Sequence, residues 1–128
     1  MTPAIDVRRL GAGDTTLARE TLMLMADVFE EPHGSLSDAY VDTLLARTDL
    51  WVLAALENGT PIGGITGHAL PMTRDESSEM FIYDLAVHPN HQRKGVGRAL
   101  VEMLRVQAAA VGITVAFVPA DNEDTHAL

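Results

Sequence analysis

Apolar and polar positions follow two different periods along this chain, and each change of period marks an element. Ile5 to Leu10 alternates residue by residue, which predicts a first strand. Gly11-Ala12-Gly13 is a turn, and Asp14 or a following threonine caps a helix. Leu17, Thr21, Leu24, Met25 and Val28 recur at helical spacing, so that helix has one buried face; Pro32 ends it. Ser37 caps a second helix through about Arg47, with Leu36 and Val41 spaced for a hydrophobic staple. Leu50 to Leu56 and Pro61 to Leu70 are two strands joined by an Asn58-Gly59 hairpin turn. Gly63, Gly64 and Gly67 soften the second strand and signal a bulge or a close backbone approach. Met80 to Val87 is predicted as the central strand. Val96 to Val111 follows as the main helix, with Leu100, Met103, Leu104, Gln107 and Val111 on one face, and Ile113 to Val118 is a further strand. The chain is α/β.

Composition bounds what such a chain can do. Its 128 residues suit one domain over 1–128, and 47 % apolar content argues against disorder. The absence of cysteine removes disulfides and thiolate metal sites. No secretory leader pattern opens the chain, and no apolar run approaches the roughly 20 residues that span a bilayer. A cytoplasmic protein without membrane contact is the expectation. A net charge of −9 argues against nucleic acid and fits either a cationic partner or plain solubility.

One stretch runs against that acidity. Between His88 and Gly112 there are four basic residues and one acid. The loop Gln92-Arg93-Lys94-Gly95-Val96-Gly97 sits between a strand and a helix. A helix start carries about half a positive charge and four unpaired N–H donors, which suits a diphosphate. Glycine at 95 and 97 removes the Cβ atoms that would hold a ligand away. Neither a Walker loop nor a Rossmann fingerprint is present, and the plainer alternative is a tight strand-to-helix turn.

Asp84 is the second candidate. It interrupts an apolar strand, where an unpaired carboxylate would cost several kcal/mol. It is either a base for an acceptor amine or a structural Asp satisfied by backbone donors or an arginine. Tyr83 points to the opposite side unless the strand bulges there, and is substrate-facing or packing. Glu30 and Glu31 end the first helix, and Asp121, Asn122, Glu123 and Asp124 form an acidic loop. Each group is either solvated or a seat for substrate ammonium groups. His88 and His91 have two residues between them but no third ligand nearby, so no metal site is expected. His33 and His126 are peripheral, and His68 is expected to be structural.

Gln92-x-x-Gly95-x-Gly97 after Asp84-Leu85-Ala86-Val87-His88-Pro89 resembles the acetyl-CoA signature of the GNAT N-acetyltransferases. Phe81-Ile82-Tyr83-Asp84-Leu85-Ala86-Val87, His91-x-Arg93-x-Gly95 and Ala120-Asp121 are similar, more narrowly, to the aminoglycoside 3-N-acetyltransferases. The resemblance implies the GNAT acyl-CoA N-acyltransferase fold, a mixed, mostly antiparallel sheet flanked by helices. It implies that Leu85, Ala86 and Val87 pair with pantetheine through the backbone. Gln92, Arg93, Lys94, Gly95, Val96, Gly97 and Arg98 would hold the diphosphate of acetyl-CoA. Glu30, Glu31, Tyr83, Asp84, Asp121, Asn122 and Asp124 would bind a polycationic acceptor, with Asp84 as the base. Acetyl transfer to a polyamine, another amine or a protein amino group is the alternative, as is a non-catalytic CoA-binding module. The family continues into a further helix, which often carries a tyrosine near the leaving thiol, and two strands. Tyr40 and Tyr83 are the only tyrosines here and neither stands at that place. The C-terminal part is thus expected to be missing, supplied by further sequence or covered in a homodimer.

Overall fold

The sheet is built outward from one hairpin. In a computed structural model, which describes residues 5–32 and 34–119, β2 (Leu50–Glu57) and β3 (Thr60–Pro71) meet at Asn58 and Gly59. Those two residues have φ of 52° and 80°, the paired left-handed conformation of a two-residue turn that matches strand twist. β1 (Asp6–Arg9) pairs antiparallel with β2, and β4 (Ser78–Val87) antiparallel with β3. β5 (Ala116–Phe117) runs parallel to β4, giving the order β1-β2-β3-β4-β5. Helices α1 (Thr15–Val28), α2 (Asp38–Ala46) and α3 (Val96–Ala110) flank this mixed, mostly antiparallel sheet. The middle strand is β3, not β4 as the apolar pattern predicted.

Each face of the sheet has its own core. Trp51, Leu53, Ile65, Met80 and Ile82 pack with Val96, Leu100, Leu104 and Ala108 of α3. Val52, Ala54 and Leu56 alternate with them and pack with Leu10, Ala18 and Val41 on the other side. The glycines of β3 let helices close in on both faces. A Cβ at Gly63 would lie 3.2 and 3.3 Å from Val96 and Leu100, and one at Gly64 would lie 2.7 Å from both Met25 and Thr21.

Helix ends follow the expected chemistry with two differences. Ser37 caps α2 by accepting from the Tyr40 N–H at 3.1 Å, and Leu36 packs on the cluster that holds Val41. Asp14 precedes α1, but its carboxylate accepts from the Gly11 N–H at 2.8 Å and so fixes the turn instead of the helix. α3 ends at Ala110, where Gly112 adopts φ 86°, so Val111 is 64 % exposed instead of completing the buried face. Of the strand expected over Ile113 to Val118, only Ala116–Phe117 forms β5, beside a bond from the Met80 N–H to the Val115 carbonyl.

The register of β4 slips once. Gly67 lies opposite Ile82 and Thr66 opposite Asp84, so Tyr83 has no partner on β3. It is a β-bulge.

The packing at Gly64 yields a stability prediction. Thr21 is fully buried and its hydroxyl is tied to the Leu17 carbonyl at 2.8 Å, so it cannot turn aside for a new methyl group. Gly64→Ala should lower stability by about 1–3 kcal/mol, the usual range for overpacking. Chemical denaturation measures this; an unchanged midpoint would contradict the close α1–β3 approach.

Candidate active site

The bulge decides which way Asp84 faces. Side chains alternate along a strand, so a one-residue slip sends every later side chain to the opposite face. Met80 and Ile82 face α3. Without the extra residue Asp84 would face α3 as well, among its aliphatic side chains. With it, Asp84 lies in one row with Thr66 and Val52, on the face that carries α1 and α2. Tyr83 is on that face too, with its ring 5.9 Å from His68 and 6.0 Å from Phe81.

Asp84 is only partly covered, and its carboxylate accepts no hydrogen bond from any described residue. Burial raises its pKa above the ordinary 3.8, the negative charge of Glu31 adds to that, and His68 opposes it. The charge of Glu31 thus acts on Asp84, and no described cation pairs with Asp84. The approach of Glu31 follows from the end of α1. Phe29 and Glu31 close back on Met25 and Ala26 by backbone bonds, and Glu30 turns the chain with φ 55°. Glu31 thus reaches the site electrostatically, whereas no contact ties exposed Glu30 to it. Asp121, Asn122, Glu123 and Asp124 lie outside the described residues, as do His33 and His126.

Beyond the bulge β4 has an open edge. The Ala86 carbonyl lies towards β3, and the His88 N–H donates to Ile62 of β3 at 2.8 Å. The alternate residues Leu85 and Val87 then turn their backbone groups the other way. There β5 gives them no partner, since it pairs only with Met80 and Phe81. The Val87 carbonyl is taken by the Gln92 side-chain amide at 3.0 Å, which ties the loop to the strand end. The backbone groups of Leu85 and the Val87 N–H have no partner among the described residues. Ala86, grouped with them in the sequence reading, turns its carbonyl into the sheet instead.

The start of α3 stands beside that edge. Arg93 and Gly95 both have positive φ, 65° and 85°, which curls the chain tightly before the helix. The first helical bond runs from the Ala99 N–H to the Gly95 carbonyl, leaving the N–H groups of Val96, Gly97 and Arg98 without a partner among the described residues. Gly95 supplies no side-chain cap. A Cβ on Gly97 would sit 3.8 Å from Val87 and 4.0 Å from Leu85, so the missing side chain leaves a cradle between helix start and strand edge. Arg93, Lys94 and Arg98 are exposed around it, whereas the Val96 side chain is buried and contributes only its backbone. An anion with an extended tail fits the donors at the helix start and the edge beside them.

Nearby histidines have structural partners. His88 accepts from the Asn90 N–H at 3.1 Å, and His91 stands 3.8 Å from Glu57. His68 is the residue that sequence reasoning assigned to structure and the fold brings to Asp84 and Tyr83. Its signal in the sequence is a lone polar residue in a strand; its neighbours follow from the register, which turns on the bulge. Three surface hollows, lined by parts of α3, by Ile113 to Val118 or by Pro71 to Ser78, contain none of the expected site residues.

The profile of the acetyltransferase (GNAT) family matches residues 19–128. Comparison with functionally curated proteins gives no match. Among solved structures, the chain is similar to aminoglycoside acetyltransferase HMB0005 from an uncultured soil metagenomic sample. That pair shares 35 % identity and a TM-score of 0.87, over 93 % of this chain and 81 % of the other. A second aminoglycoside acetyltransferase, meta-AAC0020, also from an uncultured soil metagenomic sample and in complex with sisomicin, is 30 % identical. Its TM-score is 0.88, over 96 % of this chain and 82 % of its own. The ribosomal-protein-alanine N-acetyltransferase of Brucella melitensis biovar Abortus 2308 shares the fold at 22 % identity. Its TM-score is 0.75, over 96 % of this chain and 84 % of its own.

The raised pKa of Asp84 has a measurable sign. A carboxyl whose folded pKa exceeds its unfolded value destabilises the fold once it ionises, so stability falls as pH rises through the folded value. Asp84→Asn removes that charge. The variant should melt at or above the parent temperature at pH 7, and this difference should shrink as pH falls towards 3.8. A variant markedly less stable at pH 7 would mean that favourable partners hold the carboxylate.

Proposed function

The chain belongs to the GNAT family of acetyltransferases, and on that footing we propose that it transfers an acetyl group from acetyl-CoA to an amine of a polycationic aminosugar. The favoured position is the 3-amino group of an aminoglycoside. The observation that carries this reading is Asp84, turned by the bulge out of the α3 core and left without a hydrogen-bond partner among the described residues. A structural aspartate would have donors around it. This one has a second carboxylate, Glu31, and two rings nearby, which is the setting of a group waiting for a cation.

The residues divide the work by chemistry. Unpaired N–H groups of Val96, Gly97 and Arg98, with Arg93, Lys94 and Arg98 around them, would hold the diphosphate. Leu85 and the Val87 N–H would pair with the pantetheine arm along the open edge. Gln92 would contribute by fixing the Val87 carbonyl and with it the spacing of loop and strand. The donor supplies an activated thioester carbonyl. Asp84 would accept one proton of the acceptor ammonium, directly or through one water, and so expose the lone pair that attacks the thioester carbonyl. The C–S bond would then break and coenzyme A would leave as the thiol, taking up the second proton lost by the nitrogen. Transfer would be direct, since the chain has no cysteine to carry the acetyl group. Glu31 would hold a second ammonium group of the same acceptor, and Tyr83 would lie against it.

The acceptor assignment rests on two further supports. The stretch Phe81 to Val87 resembles the 3-N-acetylating enzymes, and two proteins of solved structure to which the chain is similar at 30 % identity or above are aminoglycoside acetyltransferases. Turnover of acetyl-CoA with a panel of aminoglycosides, linear polyamines and neutral amines tests it, with the acetylated position read by NMR. Asp84→Asn should lower kcat by roughly 10²–10⁴ while acetyl-CoA affinity stays near that of the parent. Equal turnover in variant and parent across pH 6 to 9 would remove Asp84 as base. A preference for neutral acceptors would remove the aminosugar assignment.

A further inference from the structure

Four rings lie side by side on the sheet face that carries Asp84. His68, Phe81 and Phe117 are direct cross-strand partners on β3, β4 and β5, so their side chains share one face. The Phe81 and Phe117 rings are 5.0 Å apart at 66°. Tyr83, displaced by the bulge, leans back over both His68 at 5.9 Å and Phe81 at 6.0 Å. Tyr83 is 60 % exposed and Phe117, on the outer strand β5 of the described sheet, is 37 % exposed, although large aromatic side chains are ordinarily mostly covered. Asp84 follows Tyr83 directly, and the charge of Glu31 reaches it from the end of α1. The result is an aromatic floor next to the Asp84 carboxylate, with the negative charge of Glu31 in electrostatic reach of that carboxylate.

We propose that His68, Phe81, Tyr83 and Phe117 form a platform that binds the ring face of an aminosugar. Its ammonium substituents would be held by the electron-rich ring faces and by Asp84 and Glu31. This deepens the reading given above and rests on it. Aromatic faces attract cations, and they also cover the apolar C–H face of a pyranose. A rigid ring system loses little conformational freedom on such a surface, whereas a flexible polyamine must be ordered bond by bond. The platform therefore selects cyclic over linear polycations that carry the same charge. Charge complementarity points the same way: the Asp84 carboxylate beside the rings and the charge of Glu31 favour a cationic occupant over a neutral apolar one.

Phe117→Leu separates the platform from the acids. It keeps apolar bulk at the β5 position and removes the ring. Parent, Phe117→Leu and Tyr83→Leu are titrated with sisomicin and with spermidine by calorimetry, with melting temperatures measured alongside. The sisomicin Kd should rise about tenfold in each variant, while the spermidine Kd, which loses only a cation–π contact, should rise about two- to threefold. In parallel, the sugar C–H protons of sisomicin should shift upfield on binding to the parent, and Phe117→Leu should reduce that shift. If the variants melt like the parent and bind both ligands unchanged, or lose both equally, the platform is wrong. If Phe117→Leu instead breaks a dimer and leaves sisomicin binding intact, the rings serve a second copy of the chain, which also overturns the proposal. Failure of the parent to bind sisomicin at all would overturn the aminosugar reading itself, a different result from either of these.

Discussion

One unpaired residue in β4 governs the arrangement of this molecule. Tyr83 has no opposite number on β3, and everything after it in the strand is rotated to the other face of the sheet. In a strand that otherwise packs against α3, that slip lifts Asp84 away from aliphatic side chains and sets it on the face where Glu31 and His68 are in electrostatic reach. An ionised carboxylate against α3 would cost several kcal/mol unless paired. The bulge therefore relieves a folding problem and in the same step leaves a carboxylate without a hydrogen-bond partner among the described residues. It also stands where β4 parts from β5, so the strand beyond it has no partner on that edge among the described residues.

The rest of the site depends on how closely other elements approach that strand. Gly63 and Gly64 of β3 leave no side chain between the sheet and its helices, so α1 and α3 press in from opposite sides. That approach brings the α3 start to the strand end, with the Gln92 amide on the Val87 carbonyl as the tie. Helix dipole, unpaired N–H groups and exposed basic side chains then coincide within the first turn of one helix. The start of α3 is basic and built from backbone; the sheet face around Asp84 is acidic and aromatic. The two meet at Asp84 and Leu85, neighbours in sequence that face opposite sides of the sheet.

Much of this was legible before any coordinates. The Asn58-Gly59 turn, the Ser37 cap and the Gln92-to-Gly97 loop each have local chemistry that fixes their conformation, and each took the expected form. The α3 face was read one turn too far, because Gly112 stops the helix before Val111 can pack. β5 was read too long, since an apolar run records burial preference and not how many residues find a partner strand. The role of β3 as middle strand, and the company His68 keeps, depend on sheet order and register, which are non-local. The direction of Tyr83 hung on a bulge that glycines on the partner strand signalled, and only the register located it. Ala86 shows the same limit in the backbone: alternation along a strand was legible, but which residues face the open edge was not.

Amide NMR of the protein during titration with coenzyme A tests most directly that the open edge of β4 and the start of α3 form one donor seat. The N–H groups of Leu85, Val87, Val96, Gly97 and Arg98 should all shift and exchange more slowly with solvent on binding. Those of Ala86 and His88, which face β3, should stay protected throughout. Coenzyme A binding that leaves Leu85 and Val87 unperturbed would contradict the account, whatever happened at the helix.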